Sequence, residues 1–531
     1  MKKITFLLSL VLVLVLAGCT GKGTKGKVDE SKKEHHKISI AVWEINPALP
    51  KNTDDPLRKF VEDKFNISLE GGGLSWADDV PQVLSLWAAT GQLPDVFGGD
   101  LCLTAQYRQW VEDGVIRSIP ESMYRKYPNI NNAVKNDPAV QSLMVNGELY
   151  FLPRVAVDDI KDWFMERGIL NRKDWREKLG FDKPRTKQDF IDLCKAYATM
   201  NPKGDGSFTV GMSFDAPNFI FDQTFSTFGM TSFNWIRDAN GMYYMPAFES
   251  EGAYNIACWL RDMNKAGGLD PDLMSYIQNA GESGLSNFVN GKIGMLCIQV
   301  SPARYLLIST PFIAANRGVE FKDLLDYFEI LDPPVDGGNA PVGLTAAGYW
   351  SESYINANVS DAKLERILQL FDWMMSDEAM NIMNMGLEGI DWKRGPDGDF
   401  IIINENVNGK YPILSTSGFI NLASWFSQSL YTSQAIPKSI RDYTREVHDY
   451  RMQNWELAPL DYSLALETIP ERDALGALGS FGMNYWAPFI FDKSGATNEA
   501  LYAKLKADMD AAGYKAAKDA MNARAKELGI K

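Results

Sequence analysis

Hydrophobic positions along this chain change their pattern three times. Ile4 to Leu16 is an almost unbroken apolar run, preceded by Lys2 and Lys3 and closed by the small residues of Leu16-Ala17-Gly18-Cys19. A permanent membrane helix needs about 20 apolar residues, so this shorter run with a basic head and a small-residue exit predicts a secretory signal peptide. Gly21 to Lys37 is then rich in Gly, Lys, Ser and Glu, a composition that predicts a flexible tether.

From Lys37 onward the pattern becomes that of a globular α/β chain. Ile38, Ile40 and Val42 alternate through Lys37 to Trp43, which predicts a strand. Pro56 to Phe65 follows as a helix with Asp55 at its N-cap and Leu57, Phe60 and Val61 on one face. Ile67 to Glu70 is a second strand, Asp78 to Thr90 a helix stopped by Gly91, and Asp95-Val96-Phe97 a third strand ending in Gly98-Gly99-Asp100. The order βαβαβ with short connections predicts a parallel or mostly parallel sheet, which binds ligands beyond the carboxyl ends of its strands. Those ends are Trp43-Glu44, Gly71 to Trp76, and Gly98 to Asp100.

Leu149 to Pro153 is a further apolar strand, and the first lobe crossing is placed near Arg154 to Asp158. Helices at Thr186 to Met200, Glu249 to Ala266 and Gly281 to Asn290, with the apolar run Ile293 to Ile298, form a second α/β block. A helix over Asp361 to Asp377, capped by Ser360, is assigned back to the first lobe. The chain exceeds the 250 to 300 or so residues at which a single core stops growing. The expected organisation is therefore a signal peptide at 1–18, a tether at 19–36, lobe 1 at 37–155, lobe 2 at 156–305, a return to lobe 1 with crossover segments at 306–413, and a helical completion of lobe 2 at 414–531.

Charge narrows the partners. The net charge of −14 becomes −16 once Lys2 and Lys3 are removed with the signal, which leaves 52 basic against 68 acidic side chains. Nucleic acid is disfavoured as a partner. Cys102, Cys194, Cys258 and Cys297 are scattered singly in apolar surroundings and read as buried thiols rather than as a disulfide framework.

A search for chemistry returns mostly negatives. With only His35, His36 and His448, there is no HExxH pattern and no basis for a zinc site or a Ser-His-Asp triad. Gly21 to Lys27 matches GxxxxGK, but Val28 replaces the required Ser or Thr and no strand precedes it. Acidic residues are plentiful enough for a two-carboxylate glycosidase, although no pair is singled out. Asn201 to Ser207 has the cadence of a calcium loop, with Asn201 and Asp205 as candidate ligands; Lys203 stands where a carboxylate belongs and Met212 falls at position twelve, so a plain turn is the preferred reading.

Aromatic content is the positive signal. Of 14 Trp and 21 Tyr, several flank Gly, Asn or Asp in predicted loops: Trp43, Trp76, Trp235, Tyr349-Trp350, Trp392, Trp425 and Tyr485-Trp486. Flat rings beside hydrogen-bonding groups suit a sugar, whose C–H faces stack while its hydroxyls pair with carboxylates and amides.

The segments Trp87 to Val96, Asn146 to Pro153, Asp174 to Gly180 with Pro184-Arg-Thr186, Phe288 to Met295, and Gly386 to Trp392 resemble, in order, the extracellular solute-binding proteins of ABC importers. The similarity is greatest to the LplA-like and alginate-binding-like lipoproteins of family 1. Met1 to Thr20 likewise resembles a bacterial lipoprotein signal, in which Cys19 would be acylated and become the new N-terminus. The resemblance implies an α/β fold of two lobes in the type II periplasmic-binding-protein manner, with the ligand cleft between them. It implies capture of an oligosaccharide or related solute, delivery to permease subunits in the membrane, no catalysis and no cofactor, with a structural calcium held in the Asn201 to Thr209 loop of some members. Trp43, Glu44, Asp100, Trp235, Trp350 and Trp392 are the expected cleft residues. A monomer anchored through Cys19 on the outer face of the cell membrane is expected; an anchored glycoside hydrolase, a non-sugar solute and a protein-binding adhesin remain alternatives.

Overall fold

The computed structural model describes residues 34–530 apart from 76–77, 157–159, 166, 216–233, 276–283, 338–340, 344–346, 397–399, 405, 415–418, 425–435, 458–459 and 477–480. Cys19, most of the tether, Trp76 and Trp425 lie outside the described residues.

Local signals set the first helices. Asp55 Oδ1 accepts the N–H groups of Leu57 and Arg58 at 2.8 and 3.1 Å, so Pro56–Phe65 starts where its N-cap and leading proline dictate. Val80–Thr90 is capped by Asp79 and closes on Gly91 at φ 68°, a left-handed conformation that costs glycine little. Lys187–Thr199 opens with a reciprocal Thr186/Asp189 capping box, and Asp361–Met374 is capped by Ser360.

The fold has two α/β lobes, each built on its own sheet. The first sheet runs Ile67–Gly71, His36–Ala41, Val96–Gly99, Tyr349–Ile355, Leu152–Val155. Its first three strands are parallel, as the βαβαβ pattern predicts, whereas Tyr349–Ile355 enters antiparallel to both Val96–Gly99 and Leu152–Val155. The second sheet runs Phe328–Leu331, Gly168–Arg172, Ile293–Ile298, Val210–Phe214. Alternate residues of Ile293–Ile298 serve opposite faces: Met295 and Cys297 join the core under Lys187–Thr199 and Glu251–Lys265, while Leu296 and Ile298 join the core under Pro302–Ala315.

Strand pairing dates the crossovers more finely than sequence pattern does. Phe328–Leu331 still pairs with Gly168–Arg172 in the second sheet, so within 306–413 the chain first rejoins the first sheet at Tyr349. Tyr411, Ile413, Leu414, Phe419 and Leu422 pack in the lobe 1 core, the last two past residue 414, and Ile436, just before the helix Lys438–Asn454, is the next described residue to pack in lobe 2. All five are apolar on either assignment, which is why hydrophobicity alone cannot say which lobe they enter.

Candidate functional site

The carboxyl ends of the first sheet's parallel strands converge on one cluster. Trp43 follows the first strand and Asp100 the third, Arg154 lies in Leu152–Val155, and Trp350, Ser351 and Glu352 lie in the antiparallel strand Tyr349–Ile355. A bulge between Tyr349 and Glu352 places Ser351 at φ 58°, a left-handed conformation that a residue with a Cβ enters only when its surroundings hold it there. The bulge turns Trp350 toward Trp43, with ring centroids 5.6 Å apart.

Arg154 anchors both rings. Its guanidinium carbon lies 4.5 Å from the Trp43 ring centroid and 5.3 Å from that of Trp350. Nη1 donates to the Asn421 carbonyl at 2.7 Å and Nη2 donates to Ser351 Oγ. The side chain is wholly buried, and that burial lowers its pKa to about 9 against the opposing pull of Glu352 and Asp100. Its Nε and both polar side-chain atoms of the buried Asn421 have no hydrogen-bond partner. Native interiors rarely leave three such atoms together, and an unsatisfied cluster at the ligand end of a sheet is a feature to be explained.

Asp100 completes the group. Its side chain reaches solvent and makes no hydrogen bond to the protein, yet surrounding protein desolvates it and pushes its carboxyl above the usual range, with Arg154 pulling the other way. Behind Asp100, Glu352 is only 1% exposed; its Oε2 accepts from Tyr354 Oη at 2.6 Å and from the N–H groups of Leu101 and Cys102 at 3.1 and 3.4 Å. This carboxylate holds the loop that presents Asp100.

Burial, then the nearby Asp100 charge, raises the Glu352 pKa from 4.5 to about 7. Between those values the native state binds more protons than the unfolded chain, so stability falls as pH rises. Up to about 3 kcal/mol is lost between pH 4.5 and pH 8 by this group. Urea midpoints of wild type and Glu352→Gln measured from pH 5 to 8 should show the decline in the first and a flatter profile in the second; parallel profiles would refute the assignment.

The other sequence-predicted residues lie elsewhere or are engaged otherwise. Glu44 follows Trp43 at φ 56°, half-buried, with its N–H donating to the Leu74 carbonyl at 3.0 Å. Trp235 stacks on Tyr514 at 5.4 Å with rings 10° from parallel, among lobe 2 residues. Trp392 is 3% exposed, its indole N–H donates to the Gly386 carbonyl at 3.0 Å, and Phe400 meets it edge-on at 4.5 Å. Trp486 is fully buried with its N–H on the Ala247 carbonyl. The structure thus brings together Trp43, Glu44, Asp100 and Trp350, and adds Arg154, Ser351, Glu352 and Asn421. Arg154 left one trace in the sequence, as a lone basic residue inside the apolar run Phe151 to Ala156.

The Asn201 to Thr209 loop closes on itself. Asn201 Oδ1 accepts from the N–H groups of Gly204 and Gly206 at 3.0 and 3.1 Å, and Asp205 Oδ1 accepts from the N–H and hydroxyl of Ser207 at 2.9 and 2.6 Å. Two ammonium groups serve the same turn: Lys178 Nζ donates to the Pro202 carbonyl at 2.7 Å, and Lys203 Nζ lies 3.4 Å from Asp205 Oδ2. Ca²⁺ wants six to eight oxygens, several of them anionic. One carboxylate already paired with a lysine does not fit that ion, and among the described residues no group of three or more His, Cys, Asp or Glu is placed to hold a metal.

The fold is that of the two-lobed extracellular solute-binding proteins. The chain is a homologue of ABC-transporter substrate-binding proteins, consistent with their family 1. It is 23% identical over 427 residues to the polygalacturonan/rhamnogalacturonan-binding protein YtcQ of Bacillus subtilis, covering 74% of this chain and 75% of the relative. It is 26% identical over 226 residues to the fructooligosaccharide ABC transporter substrate-binding protein FusA of Streptococcus pneumoniae, covering 39% of this chain and 41% of the relative. The crystal structure of FusA with kestose matches 93% of this chain and 99% of its own at TM-score 0.65 and 15% identity. That of the alginate-binding protein AlgQ2 without calcium ion matches 93% and 98% at TM-score 0.66 and 15% identity. No protein-family model matches the chain.

Proposed function

We propose that this chain is the lipid-anchored substrate-binding protein of an ABC importer, which captures an oligosaccharide in the cleft between its lobes and hands it to a membrane permease. The observation that carries the reading is the cluster of Trp43, Trp350, Arg154 and Asp100 at the carboxyl ends of the lobe 1 strands. Trp350, partly exposed, offers an aromatic face to a sugar ring, and Asp100 offers an unengaged acceptor to hydroxyls. Closure of the second lobe over a bound solute would bury it without covalent chemistry. Cys19, following the signal segment, is the proposed site of acylation, which would hold the protein at the outer face of the membrane.

A hydrolase reading finds less support. Glu352, the carboxyl with the raised pKa, is turned into the Leu101 and Cys102 amides and nearly sealed from solvent, so it cannot protonate a glycosidic oxygen. Tryptophan fluorescence titration of the purified protein against an oligosaccharide panel, with chromatography of each sugar afterwards, tests the proposal. Saturable quenching with intact sugar recovered is expected, and Trp350→Ala should weaken binding about fivefold or more, since a ring face and its buried area are worth roughly 1 kcal/mol or more. Shortened sugars, or affinity unchanged in Trp350→Ala, would overturn it.

A further inference from the structure

Names of the relatives divide on charge: polygalacturonan carries a carboxylate on every residue, whereas fructooligosaccharides carry none. The strand-end cluster of this chain speaks to that difference. Among its described residues the cation is Arg154, which is wholly buried, holds the Asn421 carbonyl and Ser351 Oγ, and packs its guanidinium against two indole rings; its remaining N–H donors, Nε among them, are sealed from solvent as well. No ligand carboxylate can form the two-pronged pair with it that recognition of uronates favours. Among the described residues of the cluster, the carboxylates that reach the surface are Asp100, exposed and without a hydrogen bond to the protein, and Glu44, half-buried beside Trp43. Glu352 stands behind Asp100 and adds negative charge as it ionises. An unpaired carboxylate accepts hydroxyl donors well and repels a second carboxylate held out of bulk water.

We propose that the lobe 1 wall, through the exposed carboxylate of Asp100 and the engaged guanidinium of Arg154, selects uncharged oligosaccharides and rejects uronic-acid oligomers. This rests on the oligosaccharide-binding reading above and names its substrate class. Sugar hydroxyls donate to Asp100 while a ring face lies on Trp350. A C6 carboxylate brought to the same place meets Asp100, while Arg154, the cation among the cluster's described residues, stays buried and engaged.

The test is isothermal titration of the whole protein and of Asp100→Asn with size-matched trisaccharides: kestose, maltotriose, xylotriose, mannotriose and galactotriose against trigalacturonate, at low and at high salt. The galactose pair differs chiefly at C6, so it isolates charge from shape. At least one neutral trisaccharide is expected to bind, with trigalacturonate at least about 30-fold weaker at low salt and the gap narrowing as salt screens the repulsion. In Asp100→Asn the neutral sugar should lose roughly tenfold, about 1.4 kcal/mol, while trigalacturonate gains. A merely structural role for Asp100 would weaken both. Binding of trigalacturonate as tight as or tighter than every neutral sugar, or a loss of both in Asp100→Asn, overturns the inference while leaving oligosaccharide capture standing. No binding by any of the sugars, with binding of a non-sugar solute, removes the functional reading and the inference together.

Discussion

Arg154→Ala is expected to destabilise lobe 1 by about 3–5 kcal/mol and to remove ligand capture. Arg154 is wholly buried, and truncation strands the Asn421 carbonyl and Ser351 Oγ while leaving a cavity against Trp43 and Trp350. It also withdraws the positive charge that opposes the raised pKa of Asp100. The left-handed Ser351 loses the hydrogen bond that helps hold it, so the bulge that turns Trp350 is freed. Against these losses stands the desolvation of the guanidinium, which the variant no longer bears. Arg154→Met separates the contributions, because its unbranched stem refills the space beside the indoles without a charge. Urea denaturation should show Met less destabilised than Ala, and sugar titration should show both impaired. Equal stabilities of Arg154→Ala and wild type would mean that the guanidinium is not the anchor described here.

Gly294→Ala should destabilise lobe 2 by about 3 kcal/mol or more, at the upper end of overpacking effects. A Cβ at this position in Ile293–Ile298 would stand 2.1 Å from Tyr197 Cδ2 and 2.6 Å from Cγ. The ring has little room to withdraw: its hydroxyl donates to Asn171 Oδ1 at 2.9 Å and to the Arg172 carbonyl at 3.1 Å, and Trp175 packs edge-on at 5.9 Å. The central strand of the second sheet would have to shift away from Lys187–Thr199 instead. Calorimetry of the two variants should then show different lobes weakened, with Arg154→Ala lowering one part of the unfolding profile and Gly294→Ala another. A Gly294→Ala protein as stable as wild type would show that the strand and helix have slack that close packing normally denies.

Much of the candidate site was within reach of sequence reasoning, and its limits are instructive. Trp43, Glu44 and Asp100 follow from one rule, that ligands meet the carboxyl ends of parallel strands, and periodicity locates those strands. Trp350 was reached through aromatic content instead, and the same criterion also selected Trp235, Trp392 and Trp486, whose rings the structure engages in packing with Tyr514, Phe400 and Phe489. An aromatic residue beside a loop looks the same in sequence whether its face meets solvent or a neighbouring ring. Glu352 and Asn421 were not legible at all, since a single carboxylate or amide in sequence does not show what it meets across the fold. Gly294 falls within a segment that resembles the family, but only Tyr197 overhead shows what the glycine is for.

What the sequence determined by itself is whatever neighbouring residues settle among themselves. The helix starts at Asp55, Thr186 and Ser360, the stop at Gly91 and the parallel βαβαβ opening all arise from caps, turns and periodicity within a few residues. The tertiary structure decided the rest: that Tyr349–Ile355 inserts antiparallel between strands from the chain's first third, that Phe328–Leu331 stays with the second sheet, and that Arg154 meets Trp43, Trp350 and Asn421. Those outcomes rest on contacts between residues hundreds of positions apart, and the free energy that selects them comes from burial and charge pairing that exist only once both lobes have formed.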